Sequence, residues 1–427
     1  MDPITAYGTI LLGLAVVFGL YMTWGIGAND VANAMGTSVG SGAISVKQAI
    51  FIAAVFEFAG AFLAGGHVTK TIRKGIIDPA TIINTPEILV YGMLASLLAA
   101  AIWLMVASYK GWPVSTTHTI VGAVVGFALV GIGADAVNWP KIIQIVASWV
   151  VSPILGGFIA YILMMSIRFL ILENDDPFRM AQRWGPVYVF MVGFVISLVT
   201  LFKGLTHLKL ELSVEMSFLV ATAFGVACAI VGAVLIQRVV PDPKAEETFR
   251  FDGVEKVFTP MMIFTACAMA FAHGSNDVAN GVGPMAAVVS IINSGGDVAQ
   301  ESALPIWILL VGGAGIVVGL ATMGYRVMQT IGKDITALTP TRGFCATLAA
   351  AATVVVASRT GLPVSTTHVA VGAVIGVGLA RGIGALDMRV IGMRRDTSAD
   401  PGACDELRHP KDLHAALAEA DVVVLTC

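Results

Sequence analysis

Two short strings decide how this sequence is read: Gly27-Ala-Asn-Asp-Val-Ala-Asn33, and its return as Gly274-Ser-Asn-Asp-Val-Ala-Asn280. A second pair follows in the same order and at nearly the same spacing, Pro113-Val-Ser-Thr-Thr-His118 and Pro363-Val-Ser-Thr-Thr-His368. A weaker third match sets Gly60, Gly65, Val68, Thr71 and Lys74 against Gly319, Gly324, Val327, Thr330 and Lys333. The chain is therefore internally duplicated, a mark of secondary transporters whose sites form near the midplane between two repeats.

What surrounds the motifs is apolar. Of 427 residues, 57% are hydrophobic and 12% are charged, against about 25% charged in ordinary soluble domains. Apolar runs long enough to cross a hydrocarbon core of roughly 30 Å lie between the charge clusters. Candidate spans are Tyr7–Gly27, Ser45–Gly66, Leu89–Ser108, Val114–Gly133, Ile142–Leu172, Val187–Phe202 and Ser213–Ile236, then Phe258–His273, Ile306–Tyr325, Gly343–Ala357 and Val364–Leu379. The expected class is an all-α polytopic membrane protein. A net charge of −3 without a long basic tract argues against nucleic acid as a partner. Cys228, Cys267, Cys345, Cys404 and Cys427 have no paired spacing and suggest neither disulfides nor a zinc site. Met1–Gly8 lacks the basic n-region of a cleaved signal, so the first span is read as retained.

The motifs carry the chemistry. Asp30 and Asn33 fall on one helix face, as do Asp277 and Asn280, each directly after an apolar run and a glycine-rich turn. Such residues also cap helix starts. A carboxylate inside the bilayer costs at least about 2.5–3.5 kcal/mol on insertion scales and points by default to function. Carboxylate and amide oxygens suit a hard cation or a proton. Ser115, Thr116 and Thr117, with Ser365, Thr366 and Thr367, follow prolines where helices begin. Free N–H groups and hydroxyls there make an anion site without a basic side chain. An oxyanion held beside two aspartates must arrive with cations, which predicts cation-coupled symport: aspartates for the cations, hydroxyls for the anion. His118 and His368 suit proton carriage or bonding to a backbone carbonyl. Glu57 lies in the apolar stretch Phe51–Leu63, where the alignment places Ile316 in the second copy; a coupling or gating role competes with simple pairing to a polar neighbour. Lys74 and Lys333 read as interfacial.

The four motif strings, with Thr330-Ile-Gly-Lys-Asp-Ile-Thr336 and Thr339-Pro-Thr-Arg-Gly-Phe344, closely resemble the inorganic phosphate transporter (PiT) family over residues 1–387. The resemblance implies about twelve spans in two inverted repeats with broken or re-entrant half-helices, and a substrate, inorganic phosphate, bound between the repeats with Na+ or H+. It places the phosphate and cation sites on Asp30, Asn33, Asp277, Asn280, Ser115, Thr116, Thr117, Ser365, Thr366 and Thr367, and raises the odds of a coupling role for Glu57. It implies a multi-pass protein of the plasma or inner membrane in contact with the lipid bilayer, needs no cofactor and leaves room for a homo-oligomer. Sulfate transport is the alternative within the family.

The domain reading is 1–237, first repeat and connecting spans; 238–257, polar linker; 258–387, second repeat, truncated; and 388–427, a foreign tail. The first repeat follows its Ser-Thr-Thr segment with a long span containing Ser148-Trp-Val-Val-Ser-Pro153, and the second has no equivalent. The tail is similar to a fragment of a 2-hydroxyacid dehydrogenase from Met388 to Leu425, with an amphipathic helix and short strand expected over His409–Thr426. It has no complete Gly-x-Gly-x-x-Gly, which weighs against a membrane-anchored NAD(P)-dependent oxidoreductase. The missing span leads to the expectation that this chain is unstable or inactive.

Overall fold

The computed structural model describes residues 3–66, 75–77, 81–82, 85–201, 213–241, 251–297, 304–328, 338–359, 363–385, 391–393, 406–408 and 411. Lys74, Lys333, the string Thr330–Thr336, residues 242–250 of the linker, and the expected tail helix and strand apart from Lys411 lie outside them. The described elements are α1 (Pro3–Gly40), α2 (Val46–Ala64), α3 (Pro86–Lys110), α4 (Thr116–Gly131), α5 (Trp139–Ile167), α6 (Pro177–Val199) and α7 (Val214–Ile236), then α8 (Asp252–Asn293), α9 (Ile306–Thr322), α10 (Pro340–Arg359) and α11 (Thr366–Ala385). Eight described helices are long and apolar enough to span a membrane, while α4, α9 and α11 are shorter.

Met1–Gly378 forms one compact unit and Leu379–Cys427 a second. In the second, β1 (Ile391–Met393) and β2 (Glu406–Arg408) pair in parallel, Ile391 opposite Glu406. The all-α reading thus holds for the membrane part, and this strand pair lies outside it.

Local signals set the helix ends. Ser45 and Gln48 form a capping box at the start of α2. Pro86 opens α3, which stops at Gly111 in the left-handed region at φ 70. Asn138 and Asp176 cap α5 and α6, each with proline in the first turn.

One expectation fails at the motifs. There is no turn at Gly25–Gly27 or at Gly274: α1 and α8 run unbroken for 38 and 42 residues with the Asn-Asp-Val-Ala-Asn strings inside them. Hydropathy reads a polar string as a span's end, but an α-helix satisfies its own backbone and leaves only the side chains to find partners. The glycines serve close packing instead. Gly27 and Gly319 let α1 and α9 meet backbone to backbone, at Ile316 and Trp24; Gly274 and Gly60 do the same for α8 and α2, at Glu57 and Phe271. Small residues of this kind replace the hydrophobic effect as the means of close helix association in lipid. Each pair joins a helix of one repeat to a helix of the other, so the repeats interlock reciprocally. Glu255, in the last residues of the linker reading, is already helical and accepts hydrogen bonds from Thr341 N and Oγ1, both at 2.7 Å, tying the start of α8 to that of α10.

Candidate functional site

Mid-helix placement removes the capping reading of the aspartates. Asp30 is 1% exposed and Asp277 0%, well inside helices whose first turns lie elsewhere. The capping is done by the hydroxyl strings. Ser115 Oγ accepts from His118 N and Ser365 Oγ from His368 N, both at 3.2 Å, so α4 and α11 begin at Thr116 and Thr366. Pro113 and Pro363 lie outside the helices, two residues before each cap.

These two helix starts meet. Thr117 Oγ1 donates to the Val364 carbonyl at 3.1 Å and Thr367 Oγ1 to the Val114 carbonyl at 3.2 Å. The extended segment before each helix therefore receives the first turn of the other. Asp30 Oδ2 accepts from Thr116 Oγ1 and Asp277 Oδ2 from Thr366 Oγ1, both at 2.6 Å. Asn33 Nδ2 reaches across to Thr367 Oγ1 at 2.9 Å and Thr366 Oγ1 at 3.5 Å; Asn280 Nδ2 reaches Thr117 and Thr116 Oγ1 at 3.2 Å each. Each carboxylate is thus bonded within its own repeat and each amide to the opposite one. Such exchange of identical contacts is the signature of a two-fold relation.

The structure brings eight of the ten motif residues, Asp30, Asn33, Thr116, Thr117, Asp277, Asn280, Thr366 and Thr367, into one buried cluster, with Ser115, half-buried, and Ser365, buried, capping the two helices that enter it. Two helix N-termini converge in it, each carrying the partial positive charge that favours an anion. Asp30 Oδ1 and Asn280 Oδ1 have no hydrogen-bond partner among the described residues, leaving two buried acceptors, a donor set suited to a hard cation.

Three residues in contact with this cluster escaped the sequence reading. Asn29 Nδ2 donates to the Trp112 carbonyl at 2.8 Å while its Oδ1 accepts from Val114 N at 3.0 Å; Asn276 Nδ2 donates to the Val364 carbonyl at 3.1 Å. These first asparagines of each motif position the crossing segments. The third is His273. Its Nε2 lies 3.0 Å from Asp277 Oδ2 and 3.9 Å from Asp30 Oδ2, and its Nδ1 lies 3.3 Å from Glu57 Oε1, all fully buried. Asp30, His273 and Asp277 offer ligand atoms within 4.8 Å of one another, a group able to hold a metal ion. The counterparts of His273 and Glu57 are Ile26 and Ile316, so each copy contributes one member of the acid–base pair and one isoleucine of the two-fold-related position. The comparison of copies that singled out Glu57 against Ile316 would, carried to Ile26, have found His273 as well.

The phosphate transporter family model matches residues 26–394. A putative phosphate permease of Haemophilus influenzae is 51% identical over 391 residues, covering 92% of this chain and 93% of that protein. The chloroplastic inorganic phosphate transporter 2-1 of Arabidopsis thaliana is 44% identical, covering 88% of this chain and 68% of that one. A solved structure titled as the sodium-dependent phosphate transporter superposes with a TM-score of 0.80 at 42% identity, covering 88% of this chain and 92% of that chain. These relatives are transporters and not enzymes, which removes the oxidoreductase reading. The chain is a multi-pass membrane protein that belongs to the phosphate transporter family.

Proposed function

We propose that this protein carries inorganic phosphate across the cell membrane together with sodium, by alternating access about the interface of its repeats. One observation carries the reading: the reciprocal meeting of the two Ser-Thr-Thr helix starts between two buried aspartates. Thr116, Thr117, Thr366 and Thr367, with the N–H groups of the two first turns, are assigned to the phosphate oxygens. Ser115 and Ser365 add hydroxyl protons, since as caps they use only their acceptor side. Asp30, Asn33, Asp277 and Asn280 are assigned to the cations.

Charge arithmetic motivates the coupling. Two aspartates and a phosphate in one low-dielectric cluster repel by several kcal/mol unless cations are present, so the anion binds tightly only when sodium has bound. Rocking of one interlocked repeat against the other would then expose the loaded site to either side. The relative titled as sodium-dependent favours sodium over protons as the partner ion.

The test is uptake of labelled phosphate into proteoliposomes. Uptake driven by an inward sodium gradient and abolished in choline is expected. Equal uptake on a proton gradient without sodium would overturn the ion assignment, and uptake of sulfate in preference to phosphate would overturn the substrate.

A further inference from the structure

The connecting spans α6 and α7 belong to neither copy of the duplication. They lie tightly on each other, since a Cβ at Gly193 would come within 2.9 Å of Cys228 and one at Gly232 within 2.8 Å of Val189. Between this pair and α8 is a cavity of about 680 Å³, with Phe56 of α2 in its wall. Its volume falls in the ~300–1,000 Å³ range of ligand pockets. Its lining follows α8 from Val257 to Phe271, about 21 Å at a rise of 1.5 Å per residue.

The lining defines the ligand. None of its residues is charged, and its single side-chain hydroxyl, Thr200 Oγ1, donates to the Ile196 carbonyl of its own helix at 2.9 Å. Water would find no partner there. Val231, Leu235 and Phe264, all in the lining, are each more than half exposed and sit on helices apolar enough to span a membrane, so the way in is through lipid. What fills such a space in a bilayer is slender, apolar and already there, an acyl chain. A length of about 21 Å accommodates a chain running the depth of one leaflet, half of a hydrocarbon core of roughly 30 Å.

At one end the lining meets basic residues. Arg238 adjoins Val239, is exposed and makes no ion pair among the described residues. Lys256 adjoins Val257 and pairs with Asp252 at 2.8 Å. Glu255 is turned to Thr341, with Arg342 beside it. Arg238 is thus the cation at this level that no described carboxylate answers. At the other end Phe56 and Phe271 precede Glu57 by one residue and His273 by two, so the cavity backs the helices that hold that buried pair.

We infer that this cavity seats one acyl chain of an anionic phospholipid whose headgroup phosphate is held at Arg238. The experiment is native mass spectrometry of the full chain in detergent with added dioleoylphosphatidylglycerol or dioleoylphosphatidylcholine. Retention of the phosphatidylglycerol in preference is expected, and a diazirine near the end of its acyl chain is expected to crosslink within residues 224–231 and 264–271. Ala227→Trp sets an indole in the cavity from its exposed side and is expected to weaken retention about tenfold, the effect of displacing roughly two methylenes. Ile230→Trp, exposed on the same helix and outside the lining, is expected to retain the lipid unchanged. Arg238→Ala is expected to lose about fivefold of the preference for the anionic lipid. Equal retention of the two lipids by the unchanged chain overturns the inference, as do retention that survives Ala227→Trp, crosslinks confined to other segments, or an unaltered preference in Arg238→Ala. A disulfide-linked dimer of Val231→Cys chains in phosphatidylglycerol vesicles, absent from the unchanged chain, also overturns it, by assigning the cavity to a second copy.

Discussion

His273 Nδ1 lies 3.3 Å from Glu57 Oε1, both fully buried and one from each repeat, while the two-fold-related positions hold Ile26 and Ile316. The two-fold relation that organises the site is therefore kept in its threonine hydroxyls and in Asn33 and Asn280, and broken in its charge. A symmetric site would bind its ligands alike from both sides; this pair gives one side its own acid and base.

Replacing Glu57 alone strands His273 without its nearest carboxylate outside the motifs. Glu57→Ile is expected to destabilise the fold by about 3–5 kcal/mol, the usual cost of breaking a buried pair from one side. Because isoleucines, Ile26 and Ile316, occupy the two-fold-related positions, Glu57→Ile with His273→Ile is expected to regain most of that loss. Thermal unfolding in detergent measures both, and a double variant as unstable as the single one would refute the pairing.

Asp30→Asn keeps the shape of the side chain and removes its charge. It is expected to abolish sodium-stimulated phosphate uptake while leaving helical content and membrane insertion unchanged. Uptake that still responds normally to sodium would sink the cation assignment of Asp30.

Thr116→Val and Thr366→Val each remove a hydroxyl that donates to a buried aspartate at 2.6 Å. In the proposed loaded site that single hydroxyl proton turns to a phosphate oxygen, and because a hydrogen bond to a charged group contributes about 1.5–3 kcal/mol, each variant is expected to bind phosphate about 10- to 100-fold more weakly. Equilibrium binding of labelled phosphate tests this. Unchanged affinity in either variant would remove that threonine from the site.

The interlock of the repeats is checked at its glycines. In Gly319→Ala the new methyl group meets the Trp24 backbone, which cannot yield without moving α1; a loss of about 1–3 kcal/mol is expected from overpacking. Gly13→Ala, with no atom within 4 Å of its Cβ position, is expected to be neutral or to gain up to about 1 kcal/mol from helix propensity. Comparable losses at both positions would mean that the helix contact is not the cause.

Much of this protein was legible without coordinates, because membrane folding leaves a coarse record in sequence. Helices must satisfy their own backbones in lipid, so apolar runs marked the spans, and duplication marked the site through residues too costly to bury idly. Eight of the ten motif residues named on that ground meet in one buried cluster, and the two serines cap the helices that enter it. Tertiary structure alone decided how they meet. Periodicity reports one helix at a time, so it could not show that α1 and α8 continue through their polar strings, that Ser115 and Ser365 cap while the neighbouring threonines reach the aspartates, or that each repeat's amides serve the other repeat's hydroxyls. It was also silent on His273, whose partner Glu57 is remote in sequence, and on Gly122 and Gly126, which read the same as Gly372 and Gly376 although, among the described residues, only the second pair is covered by a helix. Composition and repetition fix which groups are placed in the membrane; distance and burial fix what each group touches, and those exist only once the chain has folded.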